Sequence, residues 1–239
     1  MKASKIILAA ALAGIAGTSF AQSSGFEGPF ARIGGGYATV NLNGNASAVL
    51  TQPNPFGNLV TSQSFSNINT VFGDLSAGYN FRVNSNFLVG VGASYLPTSS
   101  STANYSLTAT VPGYGASTTT GNSSLKNAWS IYVSPGYEFT GQKEMVYAKV
   151  GMAGVTGVTS DATFGLNSTT YTGWLLGAGF NSKFTDKLYG FAEIDYTSFS
   201  SQTSTISNIG GGLPPGALTA TVSSQPVSTV VLFGLGYRF

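Results

Sequence analysis

The last eleven residues, Thr229 to Phe239, limit what this chain can fold into more than any other stretch. Reading back from the end, every second residue is large and apolar: Phe239, Tyr237, Leu235, Phe233 and Val231. A period of two is the side-chain alternation of a β-strand, so this strand has one unbroken apolar and aromatic face. Its other face, Arg238, Gly236, Gly234, Leu232 and Val230, is small or polar near the end and apolar further in. A water-soluble sheet would bury such a face in a core, and its chain rarely ends there. A strand facing hydrocarbon turns the face outward, with aromatic rings where hydrocarbon meets headgroups.

The beginning of the chain agrees. Lys2 and Lys5 precede a short apolar run, Ile6 to Ala16, and Ser19 and Ala21 place small residues at the −3 and −1 positions of a signal-peptidase site. The run is too short to span a bilayer, so residues 1–21 read as a cleaved secretory signal and residues 22–239 as one domain. No Cys follows the site, which excludes a lipoprotein anchor. Cleavage removes two lysines and leaves a formally neutral chain, so the basic precursor implies no nucleic-acid partner. Only 8% of residues are charged, and no apolar run beyond the signal could cross a membrane as a helix. An exported chain of this pattern satisfies its backbone in lipid by closing a barrel.

Strand ends repeat. Gly78-Tyr79-Asn80-Phe81, Gly136-Tyr137-Glu138-Phe139 and Gly236-Tyr237-Arg238-Phe239 each set two aromatics on one face, and Gly179 to Phe184 is a looser copy. Polar turns follow three of them, near 83–86, 140–143 and 185–187. Four down-strands end in these motifs, and up-strands near 30–42, 87–96, 145–155 and 188–198 fill the gaps. The spacing predicts eight antiparallel strands in an up-and-down barrel. Trp129 to Phe139 and Trp174 to Phe184 each span ten residues on the outward face. At about 3.3 Å per residue and a tilt of roughly 40°, that is a rise of about 25 Å, the height between two aromatic girdles. The upper girdle is predicted as Tyr37, Tyr95, Trp129, Trp174 and Tyr196, and the lower as Tyr79, Phe81, Tyr137, Phe139, Phe184, Tyr237 and Phe239.

Connections on the other side, near 43–69, 97–127, 157–171 and 199–227, are long and rich in Ser, Thr, Asn and Gly, with Lys126 and Asp161 their only charges. Alternation continues into some of them, as from Tyr105 to Val111 and from Ala217 to Val222, which predicts that these strands run on above the membrane as tall hairpins.

On this register eight charges face inward: Arg32, Lys149, Lys183 and Arg238 against Asp74, Glu138, Glu193 and Asp195. Unpaired charges in a lumen filled by side chains would be costly, so a balanced lattice is expected. A gated polar path through it is the functional alternative, since inward glycines such as Gly34, Gly92, Gly179 and Gly236 leave room for water. Lys149 tests the register, because a slip of one residue would put it into lipid. Catalysis is not expected. The chain has no His and no Cys, which excludes His-based triads, thiol nucleophiles and ordinary zinc sites, and no cofactor is implied. Glu193 and Asp195 point the same way, but a narrow lumen keeps a polysaccharide from them. Gly34 to Gly36 and Gly90 to Gly92 lack the third glycine and the helix of a dinucleotide fingerprint. The sequons at Asn45, Asn104, Asn122 and Asn167 are loop composition.

The signal, the repeated Gly-aromatic strand ends, the long and short connections and the terminal Phe resemble the eight-stranded bacterial outer-membrane barrels of the OmpA, OmpX and opacity-protein type. That resemblance covers the whole mature chain. It implies an integral outer-membrane protein in contact with lipid and lipopolysaccharide, monomeric, and recognised by the barrel-assembly machinery through Gly234, Tyr237 and Phe239. No peptidoglycan-binding domain follows the last strand, so a cell-wall tether is not expected. The leading functional expectation is a surface structural or adhesion protein whose hairpins meet a host or cell-surface partner. The alternative is a porin-like narrow channel for ions or small solutes, or a lateral path for small apolar molecules as in the OmpW type. Barrel enzymes of the deacylase, palmitoyltransferase and omptin classes, which rely on His, are set aside.

Overall fold

A computed structural model of the chain describes residues 25–50, 60–99, 102–111, 113, 115–161, 165–207 and 218–239. The predicted signal lies outside the described residues. Their regular structure is entirely antiparallel β: β1 (Gly28–Leu50), β2 (Val60–Phe65), β3 (Ile68–Arg82), β4 (Phe87–Ser99), β5 (Ala103–Val111), β6 (Gly115–Glu138), β7 (Glu144–Asp161), β8 (Gly165–Lys183), β9 (Leu188–Phe199), β10 (Gln202–Ser207) and β11 (Leu218–Arg238). Eight long strands form a closed ring in the order β1, β3, β4, β6, β7, β8, β9, β11, with β11 pairing back onto β1. Closure leaves no unpaired edge around the ring's lower half, which is what hydrocarbon requires of a sheet.

The short turns form where the polar clusters fall. Asn84 Oδ1 accepts from the backbone N–H groups of Asn86 and Phe87, both at 3.0 Å, and Thr185 Oγ1 accepts from those of Lys187 and Leu188. Local side-chain acceptors of this kind stabilise a turn over further strand.

Alternation places the apolar set outward. Ile33, Val91, Ile131, Val150, Leu176, Ile194 and Phe233 all project away from the barrel. Trp174 stacks near Tyr196 at 5.5 Å in the upper belt, while Phe87–Tyr137 and Tyr237–Phe239 meet at 5.0 and 5.2 Å in the lower.

Three of the long connections stand up as hairpins: β5 with β6 to Val111↔Gly115, β7 with β8 to Asp161↔Gly165, and β10 with β11 to Ser207↔Thr219. The first connection differs. Along one edge β1 pairs with β11 in unbroken register from Phe30↔Arg238 to Leu50↔Leu218. Along its other edge β3 starts only at Ile68, opposite Val40, so above that level this edge has no ladder partner among the described residues. β2 goes to β5, β5 to the upper part of β6, and β10 to β11.

Inside the ring several inward glycines make room for aromatic rings, and Gly177 makes room for the Asp195 carboxylate. A Cβ at Gly236 would lie 2.1 Å from Tyr189 Cζ, one at Gly179 2.3 Å from Tyr147 Cζ, and one at Gly92 2.7 Å from Tyr132. Gly34 and Gly234 make the same room for Phe191. A narrow barrel can accept such large inward side chains only opposite residues that have none.

Candidate functional site

Halfway up the lumen four strands contribute one charge cluster. β1 supplies Arg32, β3 Asp74, β7 Lys149 and β9 both Glu193 and Asp195, all buried. Lys149 Nζ donates to Glu193 Oε1 and to Asp195 Oδ2, each at 2.7 Å. Arg32 Nη2 donates to Glu193 Oε2 at 3.1 Å, its Nη1 to the Tyr147 hydroxyl at 2.8 Å and its Nε to Ser76 Oγ at 3.1 Å. The Tyr147 hydroxyl in turn donates to Glu193 Oε2 at 2.6 Å. Both cations also lie over ring faces, Arg32 at 4.5 Å from the centre of Phe191 and Lys149 at 4.3 Å from that of Tyr132. Glu193 is therefore saturated with donors, as a buried carboxylate must be. Asp195 is not: its Oδ1 is buried without a hydrogen-bond partner. Asp74 forms no ion pair among the described residues.

A second cluster closes the lower mouth, and it is built around the segment ahead of β1. Phe26 is buried edge-on against Tyr189, with ring centres 5.4 Å apart. Its backbone N–H donates to Glu138 Oε1, and its carbonyl accepts from Asn80 Nδ2 at 2.8 Å. Glu138 is fully buried and takes Arg82 Nη2 at 2.8 Å, while Arg82 Nε holds Glu27 at 2.8 Å. Lys183 Nζ donates to the carbonyl of Gly25, and Arg238 Nη1 to that of Glu27 at 3.1 Å. The single balanced lattice expected of the eight inward charges is thus two clusters. The lower one recruits Arg82 and Glu27, which the sequence reading left out. Arg82 shares the inward parity of Asp74, Ser76 and Asn80, so alternation could have placed it. Glu27 and Phe26 precede the first alternating residues and carry no such signal.

Above the mid-lumen cluster the interior turns apolar. A cavity of ≈ 80 Å³ is walled by Val40, Phe72, Leu96, Leu125, Val155 and Phe199 among others, and floored by Asp74, Asp195 and the Ser94–Ser130 hydroxyl pair. One side of its wall lacks a backbone ladder. The β3–β4 ladder runs from Arg82↔Leu88 up to Leu75↔Tyr95 and stops, although β3 begins at Ile68 and β4 runs on to Ser99 along β6. Pro97 stands in this gap, with its Cγ 3.9 Å from the point where Gly73 would carry a Cβ. Proline has no N–H to donate and ends the pairing. Leu75 lies six residues above Phe81, a rise of about 15 Å, so the seam opens within the upper part of a band about 25 Å tall. Val71, beside the seam, is 79% exposed.

The family described as "Outer membrane protein beta-barrel domain" matches residues 7–239. Among solved structures, the outer membrane protein OprG from Pseudomonas aeruginosa is 16% identical, with a TM-score of 0.53 over 92% of this chain and 99% of that one. Ail, the attachment invasion locus protein of Yersinia pestis, is also 16% identical, with a TM-score of 0.42 over 89% of this chain and 99% of that one. A search of curated protein sequences finds no match.

Proposed function

We propose, for a chain that belongs to the outer membrane protein β-barrel domain family and sits as an integral barrel in the outer membrane, that its upper lumen is a receptacle and side portal for small apolar molecules. One observation carries the reading: an apolar cavity above a charged, ring-filled lumen, beside a β3–β4 ladder that stops at Leu75↔Tyr95 while both strands run on. Apolar solute gains by leaving water for such a chamber, and the seam gives it a path into lipid without crossing the charged cluster. The two clusters below argue against a through-going ion channel, since an ion would have to displace buried, paired charges. Because the chain has no native Cys, Gly73→Cys with Pro97→Cys can staple the seam. Transfer of a small apolar dye from outside into proteoliposome lipid should fall on oxidation and return on reduction. Transfer indifferent to the staple would remove the portal.

A surface role is the second reading, and a specific observation favours it. The β1–β11 ladder continues to Leu50↔Leu218, and among the described residues β2 pairs only with β5 and β10 only with β11. Strand edges held above a membrane can accept a partner strand by addition. Cells displaying the barrel with residues 202–224 shortened to a turn should then lose adhesion while keeping dye transfer. We also infer cleavage after Ala21, an assembly signal in Gly234, Tyr237 and Phe239, a monomer, and no catalytic role for the luminal carboxylates.

A further inference from the structure

The geometry points to an ammonium-recognition site at the floor of the chamber: Asp195 and Asp74 hold the protonated amine head of a small amphiphile whose apolar body fills the space above. This rests on the reading that the chamber takes ligands and adds which ones. The mid-lumen cluster holds three carboxylates, Asp74, Glu193 and Asp195, against two cations, Arg32 and Lys149. Glu193 takes the donors of both cations, and Lys149 reaches Asp195 through Oδ2 alone. What remains is Asp195 Oδ1, buried and without a partner, and Asp74, without an ion pair among the described residues. Both residues line the chamber.

A buried carboxylate oxygen left without a donor is costly, so its retention calls for a ligand that supplies one. The missing side chain of Gly177 makes room for the carboxylate itself. Oδ1 lies 2.0 Å from where Gly177, the ladder partner of Asp195, would carry a Cβ. Any larger residue there would displace the carboxylate, and the soft outer torsion of an Asp side chain lets Oδ1 swing from that recess toward the chamber. An ammonium head offers three donors and the missing positive charge, and Ser94 and Ser130 add hydroxyl acceptors at the same level. A hydroxyl head could donate but would not balance the charge. A carboxylate head would add a fourth anion to the floor. The walls select the rest of the molecule, since Val40, Phe72, Leu125 and Phe199 offer only apolar contact.

The test uses the full mature barrel in nanodiscs, titrated with n-octylammonium, 1-octanol and octanoate, with empty nanodiscs as the blank. Octylammonium should bind about tenfold tighter than octanol, the worth of a charge-assisted hydrogen bond in a buried site, and octanoate should bind least. Asp195→Asn and Asp74→Asn, each isosteric, should lower octylammonium affinity toward that of octanol and lower octanol affinity far less; folding of each is checked by its shifted gel mobility before boiling. Equal affinities for amine and alcohol on the native protein would overturn the ammonium site and leave the apolar receptacle standing. Binding of none of the three would overturn both. If a variant fails to fold, the ranking of the three probes on the native barrel still decides.

Discussion

Replacing Lys149 by Met changes the sign of its effect according to where that side chain sits. Lys149 is 2% exposed and donates at 2.7 Å to two carboxylates. Each contact is worth about 6 kcal/mol gross at an effective dielectric of about 20, against several kcal/mol of desolvation per ion. Methionine keeps the stem and removes the charge. Glu193 would still have Arg32 and Tyr147, whereas Asp195 would lose the donor on Oδ2 with Oδ1 already unpartnered. Breaking a buried pair in this way costs about 3–5 kcal/mol. The double variant Lys149→Met/Asp195→Leu removes the stranded charge too and should recover much of that loss. Urea unfolding in lipid vesicles reads it directly, because Trp129 and Trp174 are the only two tryptophans and both face outward in the upper belt. If Lys149 instead faced lipid at mid-depth, its removal would stabilise the barrel by about 2–4 kcal/mol. A gain in stability, or a loss below about 1 kcal/mol, would refute the assignment.

Gly36→Ala and Gly35→Ala should differ sharply. A Cβ at Gly36 would sit 2.1 Å from the carbonyl oxygen of Val231, whereas one at Gly35 would sit 3.3 Å from that of Phe72, a contact that a shift of a few tenths of an ångström relieves. The first should cost about 1–3 kcal/mol in the same unfolding assay and the second little. Gly236→Ala should displace the Tyr189 ring and with it the Phe26 contact, seen as faster protease cleavage of the N-terminal segment. Arg82→Ala should strand the fully buried Glu138 and cost more than Glu27→Ala, whose carboxylate is part exposed. Refolded native protein in a planar bilayer should show no steady ionic openings. Reproducible openings would mean that the charged clusters are not a seal.

How far the sequence reaches can be judged residue by residue. Outward faces follow from a period-two pattern that only one register satisfies, and Trp129, Tyr137 and Phe239 lie where that pattern puts them. Burial of Lys149 follows from the same parity. Partners inside the lumen do not, because they depend on the stagger between strands: nothing local says that Arg82 and not Lys183 meets Glu138, or that Tyr189 covers Gly236. The glycines were legible as gaps, while the rings that fill them come from ladder partners whose register the local sequence does not state: Tyr147↔Gly179, Tyr189↔Gly236 and Tyr132↔Gly92. The seam is intermediate. Pro97 is visible in the sequence, yet its effect requires knowing that β3 stands opposite. Pairing of the upper β1 with β11 was hidden because the strands are joined only by closure of the whole ring.

The central claim is that apolar molecules occupy the chamber and reach it through the β3–β4 seam. A small apolar diazirine, activated in nanodiscs and mapped by mass spectrometry, tests it most directly. The account predicts labels on the inward residues Phe72, Leu125 and Phe199, lost when Gly73→Cys and Pro97→Cys are oxidised and restored on reduction. Labels confined to outward residues such as Val71 and Ile131, or inward labels that survive the closed seam, would contradict it.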